Sequence, residues 1–126
     1  MRAVDTNVLV RLIARDDARQ TRAAEAFIVN GAWVSVLALA EAVWVLASVY
    51  ELNAEEQARG IEMLLDHRQL VLHDHESVAA ALKLFRAQPS LGFSDCLMLE
   101  MARKAGHLPL GTFDRKLGKI EGAQKL

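Results

Sequence analysis

Short apolar runs with the two-residue spacing of strands alternate with longer runs at helical spacing along nearly the whole chain. Strands are expected at residues 2–5, 32–36, 69–73 and 108–112, with a short edge strand at 122–126. Helices are expected between them: at residues 7–14, 18–29 and 37–50, from Asn53 onward, from Asp74 to about Gln88, from Ser94 to Gly106, and at 114–120. The punctuation of the chain agrees with these limits. Asn30-Gly31 suits a left-handed helix end, and Pro89 lies just past another helix. Asn53 and Glu56 have the spacing of a capping box, with Asn in place of the usual Ser or Thr. Pro109 falls where the first residues of a strand tolerate it. Strands alternating with helices predict an α/β sandwich with a mostly parallel central sheet of four or five short strands. No repeat, linker or low-complexity tract interrupts the pattern, so a single domain over residues 1–126 is expected.

One stretch admits a second reading. Residues 32–50 are apolar except for Ser35, Glu41 and Ser48, and their length approaches a membrane span. A carboxylate near the middle, Glu41, is expensive in lipid. The turn signal at Asn30-Gly31 and the β-rich Trp33-Val34-Ser35-Val36 favour a buried strand followed by a buried helix, with no membrane span. Hydrophobic residues make up 52% of the chain, which suits an ordered globular domain. A net charge of -1 excludes a protein that coats nucleic acid by bulk charge, but allows a local basic strip. The one cysteine, Cys96, permits no intrachain disulfide, and Asp5 interrupts any signal-peptide hydrophobic region. Both features lead to the expectation of a reducing, cytoplasmic setting.

Four acids stand out: Asp5, Glu41, Asp95 and Asp114. Asp5 ends the first expected strand, Asp95 lies in the first turn of a helix, and Asp114 begins one. Each of these three also suits an ordinary helix cap or dipole partner. Glu41 is different, because its helix is apolar on all sides and predicts burial. A buried carboxylate costs several kcal/mol unless it is paired or binds a metal, and no basic residue lies within a turn of it. If the fold gathers the four, their mutual repulsion calls for cations. Carboxylates without an accompanying His or Cys pair select Mg²⁺ or Mn²⁺ over Zn²⁺. Two divalent ions would balance four carboxylates, the arrangement of a two-metal site for phosphodiester cleavage.

The segments that carry these acids resemble, in order and spacing, the motifs of PIN domains. Asp5-Thr6-Asn7 is similar to the opening motif, and Val34-Ser35-Val36-Leu37-Ala38-Leu39-Ala40-Glu41 to the second. Phe93-Ser94-Asp95-Cys96-Leu97 resembles the third, and Thr112-Phe113-Asp114-Arg115-Lys116-Leu117 the fourth. The likeness covers essentially the whole chain and is greatest to the VapC-type toxins of toxin–antitoxin pairs. It implies a PIN-like three-layer sandwich and an Mg²⁺- or Mn²⁺-dependent endoribonuclease, the toxin of a type II system. Such an enzyme hydrolyses RNA phosphodiesters with metal-activated water. The resemblance also implies a homodimer, possible higher assemblies, and a small cognate antitoxin that occupies the active-site groove. Carried over, Asp5 and Asp95 match the principal metal ligands, and Glu41 and Asp114 complete the acidic pocket. Asn7 and Thr112 match residues that orient the carboxylates. Gly111 and Gly118 depart from the pattern, and Gly118 is expected to weaken the last helix.

Arg11 and Arg15 follow Asp5, and Arg115, Lys116 and Lys119 follow Asp114. They either contact the RNA backbone or form ordinary solvated helix faces. Trp33 and Trp44 are expected in the core. Leu9, Leu12, Ile13, Phe27 and Ile28 belong either to the core or to a dimer or antitoxin groove. Cys96 is expected to be a small buried hydrophobe, and His73-Asp74-His75 a strand-to-helix turn without a third metal ligand. Two rival functions differ in their residues. An Asp-nucleophile phosphatase wants an Asp where Asn7 stands, and a non-catalytic binding module has no use for four intact acids.

Overall fold

Each helix of the N-terminal part starts where a short polar side chain takes up a free backbone N–H. In the computed structural model, which describes residues 1–126, the chain divides into two compact units, residues 1–75 and 76–126. The first unit contains strands β1 (Arg2–Ala3), β2 (Ala32–Val34) and β3 (Leu70–Leu72), and helices α1 (Thr6–Ala14), α2 (Ala18–Ile28), α3 (Val36–Ser48) and α4 (Ala54–Asp66). Asp5, Asp17, Ser35 and Asn53 cap α1 to α4 in turn, and Asn53 with Glu56 completes the expected capping box. The strands pair in parallel in the order β1-β2-β3, with Ala3 opposite Trp33 and Trp33 opposite Val71. Alternation along β2 buries Ala32 and Val34 and turns Trp33 to the other face, where its ring lies 5.6 Å from that of His73. Helix α1 packs on α2 and α3, and α4 on α3 and β3. The core of this unit includes Leu9, Leu12, Ile28, Leu39, Leu46, Ile61 and Leu64, all buried.

The second unit holds α5 (His75–Ala87), a 3-10 turn at Pro89–Leu91, α6 (Phe93–Ala105), β4 (Leu110–Thr112), a second 3-10 turn at Leu117–Lys119, and β5 (Ala123–Lys125). Strands β4 and β5 pair in parallel, and Gly106 ends α6 in the left-handed conformation (φ 81°). Phe85 and Phe93 meet edge to face at 6.0 Å within a core that includes Val78, Leu82, Leu97, Leu99 and Leu117. All five strands are parallel-paired and helices flank them, which is the expected α/β class.

The expected strand followed by a helix at residues 32–50 is present, and two other expectations are corrected. The apolar stretch at residues 32–50 is divided between β2 and α3 by Ser35, and no helix is long and apolar enough to cross a membrane. Helix α3 is not buried all round: Leu37, Glu41 and Trp44 are exposed, Trp44 at 65%. Their i, i+4, i+7 spacing puts them on one outward face, so Glu41 and Trp44 both lie outside the core. Finally, residues 114–120 form only the short turn at Leu117–Lys119. The reason is steric. Strand β5 passes so close that a Cβ on Gly118 would lie 2.7 Å from the Lys125 Cβ. Gly118 is therefore required for close approach and does not weaken a helix. Gly118→Ala should lower stability by about 1–3 kcal/mol, the usual cost of overpacking, measurable by urea denaturation.

Candidate active site

The first unit supplies one pair of acids. Asp5 follows β1 with extended backbone, and one of its carboxylate oxygens accepts the Val8 N–H at 3.2 Å. The cap is real, and it occupies Oδ1 only. The next residue, Thr6, donates its hydroxyl hydrogen to Glu41 Oε2 across 2.8 Å, tying the start of α1 to the second turn of α3. Glu41 therefore has a polar partner and solvent, and its presence in an apolar helix does not require a metal. Asn7 is exposed and makes no side-chain hydrogen bond, so the residue that orients a carboxylate here is Thr6. Its position beside Asp5 was visible in the sequence, but its direction toward Glu41 was not. A largely apolar groove of about 300 Å³ opens beside Asp5 between α1 and α2, lined by Asn7, Val8, Arg11, Ala23 and Phe27 among others. Leu9, Leu12 and Ile28 belong to the core, whereas Phe27 is half-buried and faces this groove. Thr6→Val keeps the shape and loses the donor. If Glu41 serves as a metal ligand, as the resemblance to PIN domains implies, the variant should lose roughly 10- to 100-fold in cleavage rate, as loss of a ligand-orienting partner typically does. Thr6→Ser should restore most of that rate in the same cleavage assay.

The second unit supplies the other pair. Asp95 sits half-buried in the first turn of α6. Burial, and then the charge of Asp114, hold its carboxyl above the usual carboxylate range. Asp114 accepts the Leu117 N–H on Oδ1 at 2.8 Å, capping the last turn, while its own backbone N–H donates to Thr112 Oγ1 at 3.0 Å. Thr112 thus fixes the backbone of Asp114 and not its carboxylate. The raised Asp95 pKa has a definite sign in stability. The folded state holds the proton more tightly than the unfolded chain, so the contribution is present in acid and is lost as pH rises through the raised value. Asp95→Asn, neutral at every pH, should flatten this slope and melt higher than the unaltered protein at neutral pH. Thermal unfolding at acid and neutral pH checks both outcomes.

The neighbouring Cys96 is buried, and its thiol is pushed up to about 11, mainly by burial and further by Asp95 and Glu100. It is protonated at neutral pH and is no nucleophile, in agreement with its expected role as a small hydrophobe.

The basic residues divide sharply. Arg11 donates to Asp16 Oδ1 (2.9 Å), to the Tyr50 hydroxyl (2.7 Å) and to Gln20, and Tyr50 in turn donates to Asp16. Arg15 pairs with Glu25 at 3.1 Å. Both are engaged in structural contacts of the first unit. Arg115, Lys116 and Lys119 are exposed, and none of their side chains is engaged in a hydrogen bond or an ion pair. Within neither unit are three or more His, Cys, Asp or Glu side chains grouped so as to hold a metal ion. Each unit presents two carboxylates, Asp5 with Glu41 and Asp95 with Asp114.

No curated protein and no solved structure matches the chain. The PIN-domain family model matches residues 2–123, a span that takes in all four acids. With nearly the full length matched, the chain belongs to the PIN-domain family, whose membership supports a nuclease function.

Proposed function

We propose that the protein is a divalent-metal-dependent endoribonuclease, a single PIN domain over residues 1–126, acting as the toxin of a type II toxin–antitoxin pair in the cytoplasm. The observation that carries this reading is the presence of all four acids in a chain of this family, each at the end of a strand or in the first turns of a helix. The donor chemistry fits Mg²⁺ or Mn²⁺. The ligands are hard carboxylate oxygens, Asp5 has one oxygen outside its cap, and Asp95 is strained by burial and by a like charge that a cation would relieve. When bound, such a cation would lower the pKa of a water and offset charge at the leaving oxygen. The chain's own residues do the rest. Asp5 with Glu41, and Asp95 with Asp114, are the carboxylates that would hold a metal; Thr6 bonds Glu41, and Thr112 fixes the backbone at Asp114. Arg115, Lys116 and Lys119 are free to take the RNA phosphates, whereas Arg11 and Arg15 would first have to leave their acidic partners.

The apolar groove beside Asp5 and the exposed Leu37 and Trp44 on α3 support two kinds of protein contact, with a small antitoxin and with a second copy. Expression in a host that lacks the antitoxin should arrest growth, and Asp95→Asn should relieve the arrest. Normal growth with abundant folded protein would overturn the toxin assignment. Cleaved RNA should carry 5′-phosphates, which end-labelling reads directly.

A further inference from the structure

The most exposed aromatic side chain of the second unit stands next to one of the four acids. Phe113 is 81% exposed, between Thr112 and Asp114. The backbone that follows it is braced by hydrogen bonds. The Asp114 N–H is held by Thr112 Oγ1, the Leu117 N–H by Asp114 Oδ1, and the Gly118 N–H by the Asp114 carbonyl, while Leu117 is buried as an anchor. On this braced turn the ring stands in solvent and buries little against its own fold. The unpaired cations Arg115, Lys116 and Lys119 follow it within six residues.

We propose that Phe113 is a positioning residue on which an unpaired nucleobase stacks, setting the adjoining phosphate against Asp114. This rests on the nuclease reading above and adds a residue to it. An aromatic face beside a positive strip is the arrangement that binds single-stranded nucleic acid, since every base offers a π-face. A base inside a duplex does not offer that face, so the contact selects loops, bulges and unpaired ends. The charges favour RNA over a protein partner, because the centres of protein interfaces are depleted in lysine, and two of the three cations here are lysines.

The test is binding without cleavage. Affinity for a short unstructured oligoribonucleotide, and for the same strand annealed into a duplex, is measured by fluorescence anisotropy in EDTA. Phe113→Ala should weaken single-strand binding roughly 5- to 150-fold and leave duplex binding nearly unchanged. Phe113→Leu, which keeps apolar bulk but no ring, should resemble the alanine variant, and Phe113→Trp should bind at least as well as the unaltered protein. Equal single-strand affinity for the alanine variant and the unaltered protein overturns the stacking role alone. Full binding by the leucine variant overturns it too, as does a change of oligomeric state on alanine substitution, which would make Phe113 a protein contact. No RNA binding by the unaltered protein overturns this inference, whereas the nuclease reading falls only if RNA is also left uncut in Mg²⁺.

Discussion

Asp5→Asn should reduce RNA cleavage by roughly 10²- to 10⁴-fold while leaving the protein folded and its melting temperature nearly unchanged. The substitution separates two roles that one side chain combines. Asp5 caps α1 through the Val8 N–H, a task Asn performs about equally well. What Asn cannot supply is the negative charge that holds a divalent cation. Asp5→Ala removes both and should lose the same activity, with an additional stability loss of about 0.5–2 kcal/mol. Cleavage rates and denaturation curves of the two variants, side by side, distinguish the roles. Were capping the whole function of Asp5, the asparagine variant would be fully active.

Phe85→Ala should produce the largest loss of stability among the changes considered, about 3–5 kcal/mol. Phe85 is 2% exposed and meets Phe93 edge to face, so truncation removes both the buried ring and an aromatic contact. The other buried residues of this unit, among them Val78, Leu82 and Leu99, lie in helices and collapse only partly into such a space. A loss of this size is a large fraction of an ordinary domain's stability of about 5–15 kcal/mol. Chemical denaturation should show the midpoint falling while the slope stays constant. Phe93 opens α6 two residues before Asp95, so the same variant should also lower nuclease activity through a loosened helix start.

The elements were legible in the sequence wherever a local rule governs them. Asn53 with Glu56, and Gly106, each act through hydrogen bonds or dihedral angles within a few residues. What required the three-dimensional structure was the direction of individual side chains. An all-apolar helix predicts burial at every position, but a helix on the surface of a unit keeps one face outside, and on α3 that face carries Leu37, Glu41 and Trp44. The inference that Glu41 must bind metal because it is buried therefore fails, although Glu41 lies within the span that the PIN-domain family model matches. Helix periodicity continued through residues 114–120 because nothing local reveals that β5 returns over Gly118. The positive rim was likewise only half visible. Charge and spacing mark Arg11 and Arg115 alike, but only tertiary structure shows that Arg11 is held by Asp16, Gln20 and Tyr50. Thr6 was overlooked because its hydroxyl acts across 35 positions of sequence, on Glu41.

The central claim is that carboxylate-held metal cleaves RNA. It is tested most directly by incubating total RNA with the purified protein in Mg²⁺, with the same protein in EDTA, and with Asp5→Asn in Mg²⁺. Cleavage by the unaltered protein with metal, and strong loss in the other two reactions, is the predicted result. Cleavage that persists through both chelation and substitution would contradict it.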